Sequence, residues 1–166
     1  MSSKRTIVVA TEDTATAGVV GAAAAHVAME EDATAIILLH VVENHVVAHG
    51  LMNIALPAPM EETKDEARSV LAGAEAALRA EYAALDRPVP SITQRLLGGT
   101  AAGTVIAEVA DDAEAMKIVV GGRRPHALGR FAHADVHAWL GRHTKIPVHV
   151  APLQAEERQP AGGEPR

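Results

Sequence analysis

Several groups of residues in this chain have types and spacings that can do chemistry. The densest follows Val119-Val120: Gly121-Gly122-Arg123-Arg124-Pro125-His126, with Arg130 and His133 beyond it. Glycines let backbone N–H groups approach an anion, and guanidinium groups neutralise one through forked hydrogen bonds. The bland alternative is a solvated loop of long cations on an acidic protein. A second group, Gly98-Gly99-Thr100-Ala101-Ala102-Gly103-Thr104, carries two glycines at the spacing of a phosphate-binding P-loop. Thr104 stands where that motif needs lysine, so the segment reads as a glycine turn with Thr100 capping a helix. His133 and His137 have metal-compatible i, i+4 spacing, but Ala134 follows His133 where a zinc-protease motif needs glutamate, and no metal site is expected. Glu12 and Asp13 place two carboxylates at the end of an apolar run. His40, inside another such run, reads as a satisfied core histidine.

The elements that must position these residues are written in the apolar pattern. Thr6–Thr11 and Ala35–Val42 are short, continuous and β-branched, as strands buried on both faces are. Asp13 or Thr14 caps a helix running to about Glu31. Ala67, Val70, Leu71, Ala74, Leu78, Tyr82 and Leu85 recur at helical spacing within Glu61–Leu85, and Arg87-Pro88 stops that helix. Ile92–Leu97 is a third strand. A helix with Val105, Ile106 and Val109 toward the sheet follows, then a strand over Met116–Gly121. A short helix over Ala134–His143 leads to a fifth strand at Pro147–Ala151. Alternating strands and helices predict an α/β fold: one open, five-stranded parallel sheet with right-handed crossovers and helices on both faces. Ligands of such sheets sit at the carboxyl ends of strands where the winding reverses, which brings Glu12 toward the loop from Gly121.

Composition narrows the function. A chain of 166 residues with 48% apolar residues makes one domain with an aliphatic core. The net charge of −6 argues against nucleic-acid and membrane-surface partners, both of which need a positive field. With only Tyr82, Trp139 and Phe131, stacking platforms for bases are lacking. The absence of cysteine removes disulfides, thiolate metal sites and cysteine catalysis, and suits a reducing cytoplasm. Lys4-Arg5 before Ile7-Val8-Val9 imitates a secretion signal, but Glu12 and Asp13 break the run at once, and a strand is the reading. Residues 43–60 form a long connection with apolar Leu51, Met52, Ile54, Leu56 and Met60, fit to cover a ligand site, a dimer contact or a partner. The domain is expected over 1–152. A charged, Pro/Gly-rich tail at 153–166 is expected to be disordered.

Nearly the whole domain resembles the universal stress protein family. The similarity lies in Ile7-Val-Val-Ala-Thr-Glu12, Leu38-Leu-His-Val-Val-Glu43, Gly99-Thr-Ala-Ala102, Val119-Val-Gly-Gly-Arg123, Val136-His-Ala-Trp-Leu-Gly-Arg-His143 and Ile146-Pro-Val-His-Val150. It implies the adenine nucleotide alpha hydrolase-like sheet order 3-2-1-4-5. It also implies a nucleotide site reached by Thr11, Glu12, Val42 and the loop from Gly121 with Arg123, Arg124 and Arg130. ATP-binding members of the family carry Gly, two residues, Gly, nine residues, Gly, then Ser or Thr. Those positions here are Gly121, Arg124, Ala134 and Asp135, of which the first alone matches. Arg124 and Ala134 remove conformational freedom, and Asp135 replaces a donor with a charge that repels a triphosphate by about 1–4 kcal/mol at contact distance.

The expectation is a regulatory stress-response module, cytoplasmic and not an enzyme, with no required cofactor and weak or absent ATP binding. Its alternative is an ATP- or AMP-binding sensor that uses the Arg-rich loop. The resemblance also implies a homodimer through the fifth strand. Val148, His149 and Val150 form an edge bracketed by prolines, with no acidic residue or lysine to guard it. A further protein partner is compatible with the apolar 46–60 segment.

Overall fold

A computed structural model of the chain describes residues 4–43, 60–99, 101–122 and 136–153. Strands β1 (Thr6–Thr11), β2 (Ala35–Glu43), β3 (Ser91–Gly99), β4 (Lys117–Gly121) and β5 (Val148–Ala151) alternate with helices α1 (Thr14–Glu30), α2 (Met60–Ala84), α3 (Ala102–Asp112) and α4 (Val136–His143). They form one sheet in the order β3-β2-β1-β4-β5, and every neighbouring pair is parallel. The expected sheet is therefore the observed one.

Strand alternation explains why the central strands read as unbroken apolar runs. Ile7, Val9, Ile36, Leu38 and Val119 face α1 and α2, where they meet Val20, Ala24, Leu71, Leu78 and Tyr82. Val8, Ala10, Ile37, Leu39, Ile118 and Val120 face α3 and α4, meeting Ile106, Val109 and Leu140. Each of these strand side chains is buried, so a residue of either parity must be apolar. Leu85, the last position of the helical stripe, lies past the end of α2 and is 54% exposed.

Between α1 and α2 the packing is by small residues. Ala17, Val70 and Ala74 form a buried cluster, and a Cβ at Gly21 would lie 2.1 Å from the Ala74 carbonyl oxygen. Three helices end in left-handed residues that are not glycine: Asp32 (φ 48°), Asp86 (φ 51°) and Glu114 (φ 48°). Their backbone bonds close Schellman turns, as in Ala115 N–H to Ala110 O at 2.8 Å.

Several boundaries differ from the sequence reading by a residue or two, and two of these lie at the carboxyl end of the sheet. β3 runs on through Gly98 and Gly99, because the ladder to β2 continues to Glu43↔Gly99. α3 starts from Ala101 as its cap, with no side-chain capping bond. Thr100 lies outside the described residues. So do residues 44–59, the loop 123–135 and the tail from 154. Leu153, assigned to the tail in the sequence reading, packs against the α1–α2 side of the core.

Candidate functional site

The first crossover turn is short because of two local devices. β1 ends at Thr11, whose Oγ1 donates to the Leu39 carbonyl at 3.3 Å. Two residues later Asp13 caps α1, its Oδ1 accepting from Thr16 N–H at 2.8 Å and from Thr16 Oγ1 at 2.9 Å. Glu12 is left between strand and helix with its side chain exposed at the carboxyl end of the sheet. Across the β1–β2 ladder His40 pairs with Thr11, and its Nδ1 lies 2.9 Å from the Thr11 carbonyl oxygen. The two strand ends are thereby tied by side chains as well as by the backbone ladder.

β4 ends at Gly121, packed closely enough that a Cβ there would lie 3.3 Å from Val20 Cγ2. Gly122 then donates to the Ala151 carbonyl at 2.9 Å, holding the start of the loop against β5. On the other side, the start of α3 runs under the Trp139 ring. A Cβ at Gly103 would come 2.7 Å from Trp139 Cε3. The second glycine of the incomplete P-loop thus serves helix packing. It lets α4 lie against the first turn of α3, and that contact brings Val136 beside Ala102 and Ile106.

These ends enclose a cavity of about 300 Å³ lined by Ala10, Thr11, Glu12, His40, Val41, Ala102, Ile106, Val120, Gly121 and Val136. It lies where β1 leads the chain toward β2 on one side and β4 leads toward β5 on the other, the reversal point of an open α/β sheet. Among the described lining residues the walls are aliphatic, and the polar ones are Thr11, Glu12 and His40.

Of the residues singled out from the sequence, Thr11, Glu12 and Gly121 are brought together on this cavity. Val42 is outside its lining, to which β2 contributes His40 and Val41. Arg123, Arg124, Arg130, Ala134 and Asp135 lie outside the described residues. His40 is a correction to the core reading: it is satisfied through Thr11, but it is half-buried and lines the cavity. Its place at the carboxyl end of an apolar strand was the available signal. Ala102, Ile106 and Val136 gave none beyond helical periodicity.

A model of the universal stress protein family matches residues 4–152. The chain belongs to that family. Solved universal stress proteins share its fold at low sequence identity. The universal stress protein from Archaeoglobus fulgidus is 19% identical, with 90% of this chain and 98% of that one covered and a TM-score of 0.60. A family protein from Burkholderia pseudomallei is 21% identical over 90% and 97% of the two chains, with a TM-score of 0.61. A universal stress protein solved in complex with cAMP is also 21% identical, over 90% and 97%, with a TM-score of 0.59. None of the curated proteins matches the chain significantly. Among the described residues no helix is long and apolar enough to cross a membrane.

Proposed function

We propose that this chain is a non-enzymatic, cytoplasmic stress-response module. In this reading it binds the nucleoside part of an adenine nucleotide in the cavity between β1, β2 and β4 and holds ATP only weakly. The observation that carries the reading is the cavity itself. It stands at the reversal point of a universal stress protein fold, with an aliphatic floor and a carboxylate, Glu12, at its edge. That a related fold was solved in complex with cAMP supports a cyclic or linear adenine nucleotide as the ligand class. The weak grip on ATP follows from Arg124, Ala134 and Asp135, where ATP-binding relatives have Gly, Gly and Ser or Thr. Calorimetric titration with ATP and magnesium, beside AMP and cAMP, tests the reading. Sub-micromolar ATP affinity overturns the weak-grip part, and failure of all three ligands overturns the nucleotide part.

The module acts as a homodimer through β5. Pro147 O accepts from Ile118 N–H at 2.9 Å and Ala151 O accepts from Gly122 N–H at 2.9 Å, so these groups face β4. By alternation the backbone N–H groups of Val148 and Val150 face away from the sheet. His149 and Val150 are exposed at that edge, and no charged residue guards it from Val148 to Ala151. A two-fold partner strand would satisfy both outward donors on each chain. Light scattering at micromolar concentration reads the oligomeric state directly.

A further inference from the structure

Gly103, the second glycine of the incomplete P-loop, is buried in the first turn of α3 between Ala102 and Ile106, both of which line the cavity. On α4, Val136 and Trp139 are three residues apart and share a helix face, packed against the α3 side of the core. Val136 is the α4 residue in the cavity wall, and Trp139 is the one that meets Gly103. A Cβ at Gly103 would stand 2.7 Å from Trp139 Cε3, 3.1 Å from Cδ2 and 3.4 Å from Cζ3. The indole is also held from within α4. The His143 ring stacks on it with centroids 4.1 Å and planes 6° apart, and His143 Nδ1 lies 2.8 Å from the Trp139 carbonyl oxygen. α4 has eight residues and Leu140 is its buried one, so the indole is a main determinant of where this short helix sits.

From this juxtaposition we infer that Gly103 and Trp139 are positioning residues for the cavity: the indole seated on the bare glycine sets how far α4 stands from α3, and thereby how closely Val136 closes on a bound nucleoside. This rests on the reading of the cavity as a nucleoside site and adds which contact sets its fit. The facing walls are fixed by the sheet, where Ala10 and Val120 are buried within the β1–β4 ladder. Any side chain at 103 larger than hydrogen must push the ring, and α4 with it, away from α3. The wall that gives way is then the one carrying Val136. An aliphatic wall holds a ligand by dispersion, and an opening of about 0.5–1 Å forfeits about a quarter to a half of such a contact. Val105, two residues along α3, serves a different contact. It is the side chain that a Cβ at Gly99 would meet, 2.5 Å from its Cγ2, and it is not among the described lining residues.

The test uses the full chain, with AMP as probe and Trp139, the one tryptophan of the chain, as reporter. Without ligand, Gly103→Ala should shift the Trp139 emission to longer wavelength and raise its quenching by acrylamide, as the indole leaves its seat. Unchanged emission and quenching overturn the inference whatever the cavity binds. In calorimetry Gly103→Ala should weaken AMP about three- to ten-fold under conditions where urea unfolding shows the variant folded. Val136→Ala should cost a similar factor, and the double variant should bind within about two-fold of Val136→Ala, because Gly103 acts through that side chain. Equal AMP affinity in wild type and Gly103→Ala, or losses that multiply in the double variant, overturn the inference and leave the nucleoside reading standing. Val105→Ala should lower the urea midpoint and hold AMP affinity within about two-fold. A matching affinity loss there makes the Gly103 effect general loosening and overturns the inference. If Gly103→Ala does not fold, Trp139→Leu takes its place in the same cycle with Val136→Ala, and multiplying losses again overturn it. If AMP does not bind the wild type the inference falls, and the nucleoside reading falls with it when ATP and cAMP fail too.

Discussion

Substituting Gly21 with alanine should destabilise the protein, although alanine is the better helix former. Gly21 is buried in α1 at its closest approach to α2. An alanine Cβ would lie 2.1 Å from the Ala74 carbonyl oxygen, 2.9 Å from its carbon and 3.0 Å from its Cα. Ordinary contact begins near 3.4 Å, so the oxygen distance must open by more than an ångström. The obstructing atoms are all backbone, and no rotamer change relieves them. α2 cannot simply retreat, because Val70, Leu71, Ala74 and Leu78 are buried beneath it. Overpacking costs typically about 1–3 kcal/mol, and a rigid obstruction belongs at or above the upper end. Against this, alanine gains about 1 kcal/mol of helix propensity over glycine. The net loss is about 2 kcal/mol or more, which lowers Tm by about 4–8 °C in a domain of this size. Gly18, on the same helix, is exposed with nothing within 4 Å of a Cβ, so Gly18→Ala should gain the propensity term and raise Tm by about 2–4 °C. Urea unfolding of both variants, with the slope checked against wild type, reads the two signs. A Gly21→Ala protein as stable as wild type refutes the close-approach argument.

Four other outcomes follow from the structure. Glu114→Gly should stabilise by about 1 kcal/mol in urea unfolding, because it relieves a left-handed non-glycine residue at φ 48° and removes a carboxylate from the end of α3; a loss of stability counts against the turn geometry. The Lys117 ammonium bonded to Glu31, helped by Arg5 and opposed by partial desolvation, holds the Glu31 carboxyl below the usual carboxylate range. A depressed folded-state pKa gives stability that is present above the unfolded value near ~4.3 and lost as pH falls through the folded one, so Glu31→Gln should flatten that part of the acid limb of a stability–pH profile. Arg124→Gly combined with Ala134→Gly and Asp135→Ser should raise ATP affinity in calorimetry, and an unchanged affinity shows that the motif is not the obstacle. Val148→Pro removes an outward donor of β5, so light scattering should show monomer; a dimer that survives unchanged uses another surface.

The sheet was legible because the central strands are buried on both faces. Ile7-Val8-Val9 and Ile36-Ile37-Leu38-Leu39 admit no polar residue at either parity, and such runs separated by helical patterns make an open parallel sheet, whose strand order the family resemblance implied. Part of the site was legible for the same reason, since Glu12 and Gly121 are the first residues after two such runs to break the pattern. The roles of single residues were less legible where they depend on packing between distant segments. Gly103 carries the same letter in a phosphate loop and under an indole ring, and the position of Trp139 decides between them. His40 occupies a strand position whose parity suggests core. Its place at the end of the strand, level with Thr11, opens it to the cavity.

Stability and binding are allotted to opposite ends of this sheet. At the amino ends of the strands the connections are short and tied: Arg5 donates to Glu31 O, Lys117 pairs with Glu31, and Thr34 N–H donates to Arg5 O at 2.8 Å. The Schellman turns at Asp32, Asp86 and Glu114 all lead back into strands at that end. The two long connections, 44–59 and 122–135, both leave from the carboxyl ends, where the cavity is. Parallel strands force this division, because every strand-to-helix connection emerges at the same edge of the sheet. Changes in the connections from Gly121 or Glu43 can therefore alter what the cavity holds without touching the ion pair, the turns or the Gly21 contact that keep the fold together. The motif positions at Arg124, Ala134 and Asp135 differ from the ATP-binding pattern while Gly121, which sits inside β4 against Val20, keeps its glycine. On this division, the loop variants should move ligand affinity with little change in urea midpoint, and Gly21→Ala should move the midpoint far more than the affinity.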